Sequence, residues 1–420
     1  MRYLLKRSLD EIKEKIKKGD ANVFTAQEIK EAIKNEEDIK FDDVDVVTCG
    51  TCGIMSGTAA IFHIGVTEPG VFQKAKKVYL NGVPAYPGPC PNELLGSVDV
   101  IAYGTEHSVR DHEYGGGFLF KDLLSGNDID VEVEAIDGQK FETTVNIEDI
   151  PRAQIIGVRM AFRNYTAFVN PANDVVNSIF NGIPMKGGLD QFSFSGCGDL
   201  NPLQNDVGRN VIKEGTKILF NGGPGVVLGS GTRSSDTKPN LMLTGDMLKM
   251  SSEYIGGFKT GAGPEIYDSV AIPIPILNEN IFNDVKIVNS DIPLVVADIH
   301  GRHLPLTETS YDKVWEGYDE RPTFNSSNFK KEDNIEVQKA CPTNAINDNG
   351  TINLDKCFGC GLCAYITKNK TYNMNLGSVD LEIENKNHNI PITCRQSDIQ
   401  RGKKISVKLK QEINNGEFEL

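Results

Sequence analysis

The sequence predicts an α/β or α+β protein: one large mixed-sheet domain interrupted near its C-terminus by a small cysteine-bearing insert. Three observations predict it. Short apolar runs, each stopped by glycine or a short polar residue, fill residues 44 to 310. Apolar residues at helical spacing mark both ends of the chain. Between the sheet-like text and the last helical pattern stands a compact group of cysteines, from Cys341 to Cys363.

At the N-terminus, Leu5, Leu9, Ile12 and Ile16 recur at helical spacing, and Thr25 with Glu28 forms a capping box ahead of Ile29, Ala32 and Ile33. Two helices are expected there. The runs VDVVTCG, KKVYLNG, SVDVIAYG, AQIIGVRMAF, TKILFNG and IPLVVADIHG then read as strands that deliver loops to a site. The polar stretch YDERPTFNSSNFKKEDN at 318–334 reads as a linker. The chain closes with a helix: Ser397 is its expected cap, Ile405, Leu409 and Ile413 share a face, and Gly416 supplies the stop. The expected units are 1–328, 329–375, and 376–420 returning to the large domain.

The bulk properties bound the function. A chain of 420 residues, 39% hydrophobic and 24% charged, is soluble, globular and long enough for two or three units. It has no apolar run of about 18 residues to span a membrane. MRYLLKRSLDEIKEKIKKGD lacks the unbroken apolar centre of a signal peptide, so a cytoplasmic location is expected. A formal charge of −14 argues against nucleic acid as a partner. The one basic group, Arg401, Lys403, Lys404, Lys408 and Lys410, reads as the solvated face of the terminal helix. Nine cysteines without a secretion signal point to reduced thiols and metal chemistry.

The cysteine spacing is specific. In two-cluster ferredoxins each C-x2-C-x2-C-x3-C-P run gives three ligands to one cluster and its fourth, before proline, to the other. Here Cys341 precedes Pro342, but the three positions that would complete its run hold Val337, Asn334 and Lys331. CFGCGLC supplies Cys357, Cys360 and Cys363, while its fourth position is Thr367. Cys341, Cys357, Cys360 and Cys363 therefore make one complete ligand set for a single 4Fe-4S cluster in a ferredoxin-like segment. Ala345-Ile346 and Ile352-Asn353-Leu354 read as its hairpin, with Asn349-Gly350 at the turn. The alternative is a structural zinc site, which usually pairs two C-x2-C knuckles instead.

Four further thiols stand beside glycine or proline. Cys49 and Cys52, in TCGTCGIMSGTAA, follow an apolar strand and precede a small-residue segment suited to a helix start, where thiol pKa values fall. Cys90 lies in the proline-framed AYPGPCPNE, and Cys197 between two glycines in FSFSGCGDLNPLQND. Each is either a catalytic thiol or a small core residue; together they could hold a second metal or cluster, or relay persulfide sulfur. The glycine-rich NGGPGVVLGSGTR at 221–233 is either an anion cradle or a set of tight turns. Arg163-Asn164-Tyr165, Asp199, Asn201, Asn205 and Asp206 are polar residues suited to a carboxylate-bearing substrate, and His107 and His112 flank YGGG at 114–117.

At TCGTCGIMSGTAAIFH, EYGGGFLFKDLL, FSFSGCGDLNPLQND, KILFNGGPGVVLGSGT and RQSDIQRGKKISVKLKQEINNGEFEL the chain resembles the homocysteine biosynthesis enzyme, sulfur-incorporation family. The ferredoxin segment ahead of the last helix resembles its methanogenesis-marker metalloprotein branch, from methanogenic archaea. The resemblance implies reductive sulfur incorporation into a small carbonyl substrate, as in L-aspartate semialdehyde sulfurtransferases. It also implies an inorganic sulfur donor and a redox partner. In the aldehyde-converting form a cysteine follows YGGG by some twenty residues. VEVEAIDGQKFETTV has none, and Phe118 stands where histidine is common. That moves the chemistry to Cys49, Cys52, Cys90 or Cys197, or changes the substrate. An electron-transfer or cluster-delivery protein, and a scaffold with a structural cluster, remain the competing readings.

Overall fold

The computed structural model describes residues 7–89, 92–163, 165–301, 304–367 and 369–420, apart from the side chain of Asp333. Among them, two helices open the chain, as the capping signals require. Ser8 with Glu11 and Thr25 with Glu28 form reciprocal capping boxes, starting Leu9–Lys18 and Ala26–Lys34.

The large domain is built on a 14-stranded sheet. In spatial order its strands are Val23–Thr25, Val46–Ile54, Gly263–Pro275, Lys217–Phe220, Gly223–Ser230, Leu241–Asp246, Ala153–Met160, Thr58–Gly65, Ser97–Tyr103, Val83–Pro87, Ala75–Leu80, Ile129–Ala135 and Lys140–Val145. Gly256–Thr260 pairs with Gly263–Pro275 beside this path. Val23–Thr25 runs parallel to Val46–Ile54, and the other pairings are antiparallel. A second, six-stranded sheet contains two parallel pairings: Thr166–Val169 with Pro293–Asp298, and Phe192–Phe194 with Lys386–Arg395. The mixed-sheet expectation holds.

Val46–Ile54 is the strand that positions the site. It is buried almost end to end and paired with Gly263–Pro275, Cys52 opposite Ser269 and Cys49 opposite Ile272. The closing helix, Ile399–Asn414, packs across it and buries Ile405, Leu409 and Ile413, worth about 1.5–3 kcal/mol each. That approach needs Gly50: a Cβ there would lie 2.1 Å from the Gly402 carbonyl oxygen. The C-terminal segment thus lies in the core of the large domain.

Two expectations change, and one alternative is decided. The TCGTCG pair does not precede a helix; it lies within Val46–Ile54, and the next element is the strand Thr58–Gly65. The small residues are there for close packing. Residues 221–233 contain a hairpin turn and the strand Gly223–Ser230, the tight-turn alternative. The last helix is capped by Asp398, whose carboxylate accepts the Arg401 N–H; Ser397 instead accepts the Gly196 N–H at 2.7 Å.

The insert contains the helices Lys331–Ala340 and Leu362–Ile366, and a single bridge joins Ile346 to Ile352 across Gly350, where the hairpin is expected. Thr323–Phe324 pairs with Tyr372–Asn373, so the element that closes the insert begins before residue 329. No helix among the described residues is long and apolar enough to cross a membrane.

Candidate functional site

The four insert cysteines come together. Cys341 follows the helix Lys331–Ala340, and the loop Cys357–Cys363 turns back on it through Gly359 and Gly361, at φ 70° and 87°. All four thiols are buried and line one small cavity with Pro322, Ile346, Ile352 and Phe358. Cys341 Sγ accepts the Ala345 N–H at 3.2 Å, and the backbone N–H groups of Gly359, Leu362 and Ala364 favour the thiolates of Cys357, Cys360 and Cys363 against the effect of burial. Burial, followed by the neighbouring thiols, pushes Cys360 and Cys363 well above an ordinary thiol pKa. Among the described residues no three histidine, cysteine or acidic side chains converge tightly enough to share one ion.

Cys52 belongs to the same neighbourhood. It packs in one apolar cluster with Phe258, Tyr267, Phe358, Cys360, Leu362 and Cys394. Burial raises its pKa, and the Asp398 carboxylate raises it further, against the opposing pull of Arg401. The Cys197 thiol donates to the Cys52 carbonyl at 3.4 Å. Its pKa is pushed up to about 11, chiefly by burial. The Tyr267 hydroxyl, raised to about 12 by burial, finds no hydrogen-bond partner among the described residues.

Cys49 lies elsewhere. Three residues along a strand is an odd step, so its side chain points to the opposite face. There it joins the main core. Burial pushes its pKa up to about 12, while the Lys30 ammonium pulls the other way. The expected lowered thiol pKa values are therefore reversed, because a buried strand replaces the helix start. The structure thus places the Cys49 and Cys52 thiols on opposite faces of one strand and does not bring them together. Cys90 lies outside the described residues.

The polar residues of FSFSGCGDLNPLQND are scaffold. Asp199 accepts the Asn289 N–H, Asn205 donates to the Asp199 carbonyl, and Asp206 accepts three consecutive N–H groups from Asn210, Val211 and Ile212. They face the chain, not a substrate. Arg163 donates to the Val207 and Asp236 carbonyls; Tyr165 is partly buried with its hydroxyl turned inward, and Asn164 lies outside the described residues. The His107 ring lies against Gly263, and Phe118 stacks on Tyr114 with centroids 5.9 Å apart.

Sequence reasoning missed the junction. Arg401, expected in solvent, is 3% exposed. It donates to the Cys357 carbonyl at 2.8 Å, to the Glu253 carbonyl at 2.8 Å, and to Asp398 and the Asp355 carbonyl. Its guanidinium lies 5.3 Å from the Tyr267 ring centroid. Asp398 also accepts both bonds of Arg321, at 2.6 and 2.8 Å, and its own N–H donates to the Cys52 carbonyl at 3.0 Å. Arg395 donates its backbone N–H to the Cys360 carbonyl at 2.9 Å. One buried ion-pair system thus ties the thiol ring to the strand carrying Cys52. The signal was RQSDIQR itself: two arginines and an aspartate ahead of an amphipathic helix.

The family model described as homocysteine biosynthesis enzyme, sulfur-incorporation, matches residues 21–420. The chain belongs to that family. This family member is 50% identical over 417 residues to an uncharacterised protein of Methanothermobacter thermautotrophicus, covering 99% of this chain and 95% of that one. An uncharacterised protein of Methanocaldococcus jannaschii is 44% identical over 407 residues, covering 96% and 99%. An L-aspartate semialdehyde sulfurtransferase of Methanosarcina acetivorans is 31% identical over 346 residues, covering 78% of this chain and 67% of its own length. No solved structure matches. Family and relatives point to sulfur incorporation in homocysteine biosynthesis, with a small-molecule substrate and a sulfur donor.

Proposed function

We propose that this chain catalyses reductive sulfur incorporation into a small aldehyde of the aspartate-semialdehyde type in methanogenic archaea, with Cys52 as its sulfur-handling thiol. With hydrogen sulfide as donor, one aldehyde, one hydrogen sulfide, two electrons and two protons give one primary thiol and one water. The carbonyl carbon gains a C–S and a C–H bond and loses its oxygen, and the electrons come from a low-potential one-electron donor. The observation that carries the reading is the placement of Cys52 on the sheet face that meets the thiol ring, in one packed cluster with Cys360.

Cys341, Cys357, Cys360 and Cys363 fit one 4Fe-4S cluster: an all-thiol donor set, buried and ringed around a cavity rather than converging on one ion, with Cys341 Sγ accepting the Ala345 N–H. When bound, such a cluster supplies electrons one at a time. The protein's own residues do the rest. The Cys52 thiol adds to the aldehyde carbonyl to give a hemithioacetal, and hydrogen sulfide displaces it, which returns the thiol without any oxidant and leaves the carbon–sulfur adduct for the two-electron reduction that expels water. Burial and the Asp398 carboxylate keep Cys52 as the neutral thiol, against the opposing pull of the Arg401 guanidinium. The protonated Tyr267 hydroxyl is a donor available to a carbonyl oxygen.

The test is anaerobic incubation of the reconstituted protein with L-aspartate semialdehyde, sulfide and a low-potential reductant, scoring homocysteine. Product from the wild type and none from Cys52→Ala is expected. No product with the cluster intact and cell extract supplying partners would favour electron transfer or cluster delivery, the reading to which the cysteine-free hairpin at 131–145 already lends weight.

A further inference from the structure

A groove with a cavity volume of about 340 Å³ runs between the large domain and the first helix of the insert. Gly182, Ile183 and Pro184, the strand end around Lys259, the His112-Glu113 loop, and Glu336 with Lys339 line it. That is the size and setting of a small-molecule site, since such sites favour the seams between structural units.

Of its four charged side chains Lys259 is the buried one, while Glu113, Glu336 and Lys339 are exposed. The side chain is only 10% exposed, and its ammonium donates to the Lys339 carbonyl at 2.8 Å and to Glu113 at 3.2 Å. An ammonium has three donors. The Glu113 carboxylate is 63% exposed, and an ion pair to so exposed a partner contributes little, so it yields easily to a competitor. Gly182 forms the wall towards the insert. A Cβ there would lie 3.4 Å from Pro342 and 3.7 Å from Cys394 Sγ. Cys394 in turn packs in one cluster with Cys360. One residue layer therefore separates the groove from the thiol ring.

We infer that this groove binds a small carboxylate, with Lys259 as its cationic partner and Glu113 occupying the carboxylate position when the ligand is absent. The inference rests on the proposed function for the size of the ligand. The lysine is held from two sides, by its side-chain bond to Lys339 and by its backbone N–H to the Pro342 carbonyl at 2.9 Å. A carboxylate replacing Glu113 accepts a preformed, desolvated charge, at the cost of one weak surface ion pair.

The test is anaerobic titration calorimetry of the full-length protein with L-aspartate and with succinate, using inorganic sulfate as a non-specific anion. Wild type binds both carboxylates and sulfate more weakly. Glu113→Gln removes the internal competitor and tightens binding several-fold; Lys259→Gln weakens it by about tenfold or more, as loss of a charge-assisted hydrogen bond does. Unchanged affinity in Lys259→Gln, or sulfate binding as well as the carboxylates, overturns the inference. Should Lys259→Gln not fold, equal or weaker binding by Glu113→Gln overturns it instead. Homocysteine formation at unchanged KM in Lys259→Gln would sink the groove and spare the reaction. Lysine-dependent carboxylate binding without product would spare the groove and sink the reaction.

Discussion

Cys49 and Cys52 sit three residues apart on one strand, both fully buried, and have almost nothing else in common. One faces the main core and the buried Lys30; the other faces Tyr267, Arg401, Cys197 and the insert that carries the thiol ring. On a helix the same spacing would place the two on neighbouring positions of one face; on a strand it separates them. A C-x2-C pair therefore has no chemistry until its backbone is known, and the side of the sheet decides which thiol takes part.

The largest effect should come from the insert. Cys360→Ser should abolish or convert the cubane signal and drop iron and acid-labile sulfide from about four each per chain, whereas Cys394→Ser should keep both. Equal loss from the two, or zinc alone in protein prepared without oxygen, would remove the cluster from the comparison.

Next is the junction. Arg401→Met removes the cation between Cys52 and the Cys357 carbonyl and leaves the buried Asp398 with Arg321 alone. Breaking a buried pair in this way costs about 3–5 kcal/mol. Denaturant unfolding should register it, and the insert should become more susceptible to protease than the sheet. A loss within about 1 kcal/mol would mean that the two units are held by packing instead.

A smaller effect separates the thiols by titration. With Cys49 raised to about 12, folding stability from its neutral thiol is complete below the unfolded thiol pKa and is lost as pH rises towards 12. Cys49→Ala should flatten that alkaline decline and cost about 1–2 kcal/mol at neutral pH for the sulfur it removes. Alkylation of Cys49 at pH 8 should be slow in the folded protein. Fast modification there would return it to the reactive set.

The smallest concerns Asp268, fully buried on the strand paired with Val46–Ile54, its carboxyl raised to about 6 by burial and held by Thr58 and Asn221 at 2.6 and 2.8 Å. A raised carboxyl contributes stability that is complete below its unfolded pKa, about 3.8, and is lost as pH rises through about 6. Asp268→Asn should shift the thermal midpoint by only a few degrees and flatten its pH dependence between 4 and 7. An undiminished slope would assign that dependence to another group.

What was legible in the sequence was local. The capping box at Thr25, the apolar face of the last helix and the bridge from Ile346 to Ile352 each depend on residues a few positions apart. The gathering of Cys341 with Cys357, Cys360 and Cys363 is likewise written in their spacing. What was not legible depends on partners far along the chain. Gly50 and Gly53 resemble turn residues until Gly402 and Ser397 are seen to press against them. Arg401 reads as one more surface cation until the Cys357 and Glu253 carbonyls close around it. The polar run after Cys197 resembles a substrate site because buried scaffolds and ligand sites use the same amides and carboxylates.

The claim that one face of Val46–Ile54 carries the chemistry is tested most directly by assaying homocysteine formation in Cys49→Ala and Cys52→Ala side by side, under anaerobic conditions and with iron counts matched to wild type. Product at near wild-type rate from Cys49→Ala, and none from Cys52→Ala despite a full cluster, is the predicted result. Equal activity in the two variants, or loss in Cys49→Ala alone, would contradict it.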